Sequence, residues 1–183
     1  IIDIYINTNY LRINAENMNA ILFPGQGSQV VGMGLEFYNN FETVKKIFQE
    51  ADDKLSYKIS KIILEGPEDQ LRLTQNTQPA ILTVSYAIFS VLKKEYNFDL
   101  KSTKFFAGHS LGEYSALSCA GYLEFDKTIK ILRARGKAMQ NAVPRGEGGM
   151  LAVLGTRIET IEKILKDNEK KFEAQIANDN TDG

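Results

Sequence analysis

One cysteine, one histidine and an almost even balance of charge remove several function classes at once. Cys119 has no partner for an intramolecular disulfide, and a lone thiol fits a reducing compartment. A single Cys and a single His, His109, are too few to build a structural zinc site. Lys and Arg number 22 against 23 Asp and Glu, a formal net charge of −1. Such a balance gives no general attraction to nucleic acid or to an anionic membrane. No apolar run approaches the roughly 18 residues that a membrane-crossing helix needs. Internal repeats and low-complexity linkers are missing too. What remains is a chain of 183 residues, 43% hydrophobic and 25% charged, with enough apolar side chains for an ordinary globular core.

The chain starts on Ile1, and residues 1–19 are rich in Ile, Asn and Tyr with Arg12, Asp3 and Glu16 among them. This matches neither a secretion signal nor an Arg-rich, acid-poor transit peptide, and reads as the tail of a leader or a cloning remnant. From residue 20 the pattern is that of alternating strands and helices. Ala20–Phe23 reads as a buried strand halted by Pro24-Gly25. From about Leu35, Tyr38, Phe41, Val44, Ile47, Phe48, Ala51 and Leu55 share one helical face. Gly66-Pro67 breaks a second, shorter helix. Pro79 stands where a first helical residue often does, opening a nearly all-apolar central helix through Leu92. Lys104–Ala107 is the next strand, followed by helix formers up to Gly121, and Asp126 can cap a helix through Gln140. Alternation of this kind predicts α/β layers around a parallel sheet. After Gly148-Gly149 the pattern restarts, with a strand over Met150–Leu154, a helix over Arg157–Asp167 and a strand over Phe172–Ala177. The boundary between two subdomains is expected there, giving segments 20–148 and 149–183.

Gly108-His109-Ser110-Leu111-Gly112 fits the G-x-S-x-G nucleophile elbow, in which a serine stands on a tight turn between strand and helix. The glycines are needed because side chains there would strike neighbouring backbone, and the Leu111 N–H is placed to stabilise an oxyanion. Taken alone the pentapeptide reads first as an ordinary glycine-bounded turn, and its place between a predicted strand and a predicted helix is what favours the elbow. His109 is adjacent to Ser110, and neighbouring side chains on such a turn diverge. It is not expected to come within the roughly 2.6–3.2 Å that a general base requires. A ring packed or hydrogen-bonded beneath the turn is the better reading. Gly25-Gln26-Gly27-Ser28-Gln29 also follows a strand, but lacks the Gly-Lys-Ser/Thr ending of a phosphate loop. A loop whose amides line an oxyanion hole, or a plain turn, is left. In the helix from Asp126, the stripe Asp126, Lys130, Arg133, Lys137 and Gln140 reads as the solvated face, so Arg133 is expected to be unimportant. Arg135 shares a less polar stripe with Thr128, Ile131 and Ala138 and needs an anion or carbonyls around it. That anion is either an internal carboxylate or the carboxylate of a bound substrate.

Four motifs in this order and at this spacing, Phe23–Gln29, Gln75-Asn76-Thr77-Gln78-Pro79-Ala80, Gly108–Leu117 and Arg135–Gln140, resemble the malonyl-CoA:acyl carrier protein transacylases of dissociated fatty acid synthesis. The acyltransferase domains of polyketide synthases are close relatives. The likeness runs from about residue 20 to the end. It implies an α/β-hydrolase-like parallel-sheet domain with the start of an inserted ferredoxin-like subdomain from about Gly149. It further implies that Ser110 accepts malonyl from coenzyme A, that Gln26 and Leu111 give oxyanion-hole amides, and that Arg135 holds the malonyl carboxylate. The base is implied to be a histidine downstream of Gly183, so that residues 1–183 alone are expected to be inactive. Malonyl-CoA and acyl carrier protein are the implied partners, with no permanently bound cofactor, no metal, no nucleic acid and no membrane, and the full-length form is expected to be a monomer. A serine esterase or thioesterase on the same elbow, and a non-catalytic carrier-binding module, are the alternatives. Frequent Asn, Lys, Ile and Tyr hint at an AT-rich coding sequence, which with the odd leader suits a plastid-type, apicoplast-like organelle, with a bacterial-type cytoplasm as the other expectation.

Overall fold

The computed structural model describes residues 19–96, 103–142 and 147–180. Apart from Asn19, the expected leader remnant lies outside the described residues. The chain divides into two units, Ile1–Pro144 and Arg145–Gly183.

The first unit is a mixed α/β fold. Strands β1 (Asn19–Phe23) and β2 (Thr103–Gly108) pair in parallel, with Ala20 opposite Phe105 and Phe23 opposite Gly108. Of the four segments read as strands from the sequence, Ala20–Phe23 and Lys104–Ala107 are these two. Side chains alternate across the sheet. Phe23 and Phe106 stack on one face, 6.4 Å between ring centres, and meet Phe89, Ala116 and Cys119 there. Leu22 and Phe105 turn outward and stay exposed. Because the strands are parallel and Phe23 faces Gly108, the loop after β1 and the turn after β2 leave the same end of the sheet. Ligands bind at that end in open α/β sheets.

Between the strands lie α1 (Leu35–Asn40), α2 (Glu42–Leu55), α3 (Ile59–Glu65), α4 (Glu68–Leu71) and α5 (Thr74–Lys94). After β2 come α6 (Leu111–Cys119) and α7 (Phe125–Ala142). The predicted long helix from Leu35 is split, because Phe41 adopts an extended conformation (φ −126°, ψ 119°) and both ends α1 and starts α2. Its expected apolar face survives the break: Val44, Ile47, Phe48 and Ala51 are buried. Asp52 is buried beside them, an outcome the apolar spacing did not announce. It accepts hydrogen bonds from the Ser60 N–H at 2.9 Å and Ser60 Oγ at 2.7 Å, and so ties α2 to the start of α3. The exposed Lys58 ammonium adds a 3.2 Å ion pair.

Helix α5 is the predicted central helix, buried on nearly every side from Asn76 to Val91. Its start differs from expectation. Pro79 is not the first helical residue but lies inside the helix, which begins at Thr74. The polar run Asn76-Thr77-Gln78 is fully buried, and the side chains of Asn76 and Thr77 are used locally. Asn76 Nδ2 donates to the Gln70 carbonyl at 2.7 Å and Thr77 Oγ1 to the Leu71 carbonyl at 2.6 Å. These bonds let polar residues open a buried helix without the cost of unpaired groups. The main core joins Ala80, Leu82 and Val91 of α5 to Val44 and Phe48, to Ile59 and Ile63, and to Leu111, Ile129 and Leu132.

Helix α7 presses against the start of α5 at Gly136, where a Cβ would lie 2.6 Å from the Gln75 Cα. Any side chain at Gly136 forces the two helices apart. Gly136→Ala is therefore expected to destabilise the fold by about 2 kcal/mol or more in urea titrations, within the range for overpacked cores. Gly149→Ala is the control, since nothing lies within 4 Å of its added carbon, and should leave the midpoint unchanged.

In the second unit, α8 (Ile158–Asp167) matches the predicted helix closely. The two strands expected beside it are not formed: 150–154 and 172–177 take no part in a ladder among the described residues. A strand exists only through the neighbour that satisfies its backbone. Met150, Leu151 and Leu154 are left open to solvent, and no residue of α8 is buried, Ile158, Ile161 and Leu165 being half-buried. Among the described residues no helix is long and apolar enough to cross a membrane.

Candidate active site

Strand β2 turns into α6 through His109 and Ser110. Ser110 has φ 55° and ψ −113°, one of two non-glycine residues with positive φ among those described. A residue so placed stores strain of order 1–3 kcal/mol, and such strain gathers at functional sites. The flanking glycines permit the turn. A Cβ on Gly108 would stand 2.1 Å from the Gly112 carbonyl, and one on Gly112 would stand 2.4 Å from the Phe23 carbonyl oxygen. The elbow and the loop after β1 thus share one narrow space.

That loop is held by its own groups. Ser28 Oγ donates to the Gly25 carbonyl at 2.9 Å, and the Gly27 N–H donates to Gln29 Oε1 at 2.7 Å. The Gln26 side chain reaches across to Thr74 Oγ1 at 3.2 Å, linking the loop to the start of α5. On the elbow side, Gly112 N–H donates to the His109 carbonyl at 2.8 Å and Glu113 N–H to that of Ser110 at 3.1 Å. The Leu111 N–H belongs to the same first turn, where amides have no partner within the helix and the dipole favours negative charge.

The structure brings Arg135 to Ser110. Its Nη2 donates to Ser110 Oγ at 3.1 Å, its Nη1 donates to Gln78 Oε1 at 2.7 Å, and its guanidinium lies 5.8 Å from the Tyr114 ring centre. Both polar partners are neutral. No carboxylate lies within ion-pairing distance of it among the described residues. The internal-carboxylate explanation of this arginine therefore has no support.

His109 is exposed, so of the two expected arrangements the packed ring is not formed. Its ring lies against the β1 loop, with Nδ1 3.0 Å from where a Gly25 Cβ would be.

Arg133 is not on the solvated face. It is half-buried, with Nη1 donating to the Gln75 carbonyl at 2.8 Å and to Asn76 Oδ1, and with the guanidinium 4.4 Å above the Tyr57 ring centre. The reason is angular. The buried seam of α7 is Phe125, Thr128, Ile129, Leu132 and Gly136. At about 100° per residue, Arg133 and Arg135 stand about 80° to either side of its centre. They are equivalent flanks, and a stripe drawn through the charged residues assigned one of them wrongly. Gln78, Thr74 and Tyr114, each touching a site residue, were also not singled out by sequence reasoning. Gln78 and Tyr114 were visible only as members of motifs.

Residues 21–181 match the acyl transferase domain family. The chain belongs to that family. It is 46% identical over 165 residues to a malonyl CoA-acyl carrier protein transacylase of Bacillus subtilis, covering 90% of this chain and 51% of the relative. To the transacylase of Haemophilus influenzae it is 43% identical, covering 90% of this chain and 52% of the relative. Among solved structures it is similar to an acyl-carrier-protein-S-malonyltransferase from Bartonella henselae, with a TM-score of 0.82 and 45% identity over 89% of this chain and 52% of that one. It is also similar to a malonyl-transacylase in complex with its type II polyketide synthase acyl-carrier protein, with a TM-score of 0.75 and 43% identity over 81% of this chain and 47% of that one. The chain spans about half the length of the relatives it matches. The relatives named here from bacteria give a plastid-type compartment no support.

Proposed function

We propose that this acyl transferase chain carries the acyl-accepting site of a malonyl-CoA:acyl carrier protein transacylase. The observation that carries the reading is Arg135 beside Ser110, a guanidinium with neutral partners only, aimed at a strained serine. In malonyl-CoA a carboxylate stands a single methylene from the thioester carbon. A clamp for it has to lie next to the nucleophile, and a guanidinium holds a carboxylate through two parallel hydrogen bonds.

In the proposed cycle Ser110 Oγ attacks the thioester carbon, and its proton passes to a base. The Gln26 and Leu111 amides stabilise the oxyanion, and the coenzyme A thiol leaves with a proton. The phosphopantetheine thiol of acyl carrier protein then attacks the seryl ester and regenerates Ser110. The family resemblance assigns the base to a histidine other than His109, which is the only one in these 183 residues. Coenzyme A enters as a substrate, so the cycle calls for no resident cofactor. In the same reading, residues 20–148 are the α/β-hydrolase-like domain, 149–183 begin a ferredoxin-like insert, and the full-length protein is a monomer.

Hydrolysis of neutral esters on the same elbow has no use for Arg135, and a non-catalytic module has no use for a strained Ser110. The test is to incubate the natural full-length protein with malonyl-CoA and phosphopantetheinylated carrier protein and to follow malonyl by intact-mass spectrometry. Malonyl is expected first on the enzyme and then on the carrier thiol. Free malonate with an unloaded carrier would favour the hydrolase instead.

A further inference from the structure

We infer that Arg133 is a positioning residue for Arg135, acting through the first turns of α5. The inference rests on the reading of Arg135 as the carboxylate clamp. It starts from Pro79. A proline inside a helix has no N–H to give to the carbonyl four residues earlier, here that of Gln75. That carbonyl accepts instead from Arg133 Nη1 at 2.8 Å, and the same nitrogen bonds Asn76 Oδ1. Arg133 thus replaces the hydrogen bond that Pro79 removes. Its guanidinium is fixed in turn by the Tyr57 ring beneath it.

The segment that Arg133 pins is the one that sets the site. Gln75 and Gln78 are three residues apart on α5 and so lie on adjacent positions of one face. Gln78 is fully buried, and its Oε1 holds Arg135 Nη1 at 2.7 Å. Thr74, at the head of the same helix, holds the Gln26 side chain. Helix α7 therefore grips the start of α5 from both flanks of the Gly136 contact, with Arg133 on one side and Arg135 on the other. Without Arg133 the Gln75 carbonyl loses its partner and the first turn of α5 is free to shift, taking Gln78 with it. A two-pronged hold on a carboxylate depends on the plane of the guanidinium. Misaiming it penalises a malonyl donor far more than an acetyl donor, which has no carboxylate to place.

The test is a double-mutant cycle in the natural full-length protein, reading the malonyl-CoA to acetyl-CoA ratio of kcat/KM together with the melting temperature. Arg133→Met is expected to lower the ratio about tenfold, the worth of roughly one well-aligned hydrogen bond to a charged group. In the Arg135→Ala background it should lower the ratio no further, because its effect runs through Arg135. Arg133→Lys, which keeps the charge but loses the planar guanidinium held over the Tyr57 ring, should give a smaller change in the same direction, and it carries the test if Arg133→Met does not fold. Equal losses for both donors, or the same further fall without Arg135, would show a merely structural role and overturn the inference. A ratio unmoved by Arg135→Ala would remove the clamp reading and this inference with it. A ratio lowered by Arg135→Ala but untouched at Arg133 overturns this inference alone.

Discussion

Ser110→Ala is expected to eliminate the covalent malonyl adduct and to reduce transfer to the carrier protein by at least about a thousandfold. Removing the nucleophile of a covalent mechanism leaves only the contribution of binding and oxyanion stabilisation. The expectation rests on the Ser110 backbone, held at φ 55° and ψ −113° with its hydroxyl 3.1 Å from Arg135. The single cysteine does not compete. Cys119 is buried, and burial pushes its thiol up, so that it stays protonated near neutral pH. Intact-mass spectrometry after brief exposure to malonyl-CoA decides the matter, with peptide mapping to locate the label. An adduct of undiminished yield in the Ser110→Ala protein would place the acceptor elsewhere. Ser110→Gly separates strain from chemistry: it removes the hydroxyl but accepts positive φ, so it should be inactive yet at least as stable as Ser110→Ala.

The elbow was legible because each of its requirements leaves a mark on the sequence. A strand ending in Phe106-Ala107, two glycines where a Cβ has no room, and helix formers afterwards are all local features, and β2, Ser110 and α6 follow them. The loop of Gln26 was legible for the same reason. What was hidden depends on partners far along the chain. The break at Phe41 interrupts a spacing that is helical on both sides of it, so periodicity alone could not show it. Pro79 marked a helix start by local rules, but α5 begins earlier because Asn76 and Thr77 find carbonyls at Gln70 and Leu71 and because Arg133 takes over the Gln75 carbonyl. Arg133 and Arg135 differ by two positions and flank one seam, so only the packing of α7 on α5 reveals that both are engaged. The strand readings at 150–154 and 172–177 rested on local apolar residues and were not met, because sequence carries no record of whether a ladder partner is beside them.

Replacing Arg135 by alanine should change which acyl group the protein prefers more than it changes the chemistry itself. The guanidinium is half-buried and its two polar partners, Gln78 and Ser110, carry no charge, so its own charge is not answered within the described site. A substrate carboxylate arriving there meets a donor pair already oriented by Gln78, and little ordering remains to be done on binding. Hydrogen bonds to charged groups are worth roughly 1.5–3 kcal/mol, which corresponds to a fall of about 10- to 150-fold in kcat/KM for malonyl-CoA relative to acetyl-CoA. The rate of acylation by acetyl-CoA should fall much less, because the acetyl group makes no demand on the clamp. Arg135→Lys restores the charge as a point rather than a fork and should recover only part of the preference. Competition between the two thioesters in one reaction, read as the ratio of malonyl to acetyl on Ser110, measures the preference without depending on enzyme concentration. If both donors decline in step, the Gln78–Arg135–Ser110 contacts brace the elbow rather than select the substrate, and the carboxylate clamp has to be sought among other residues.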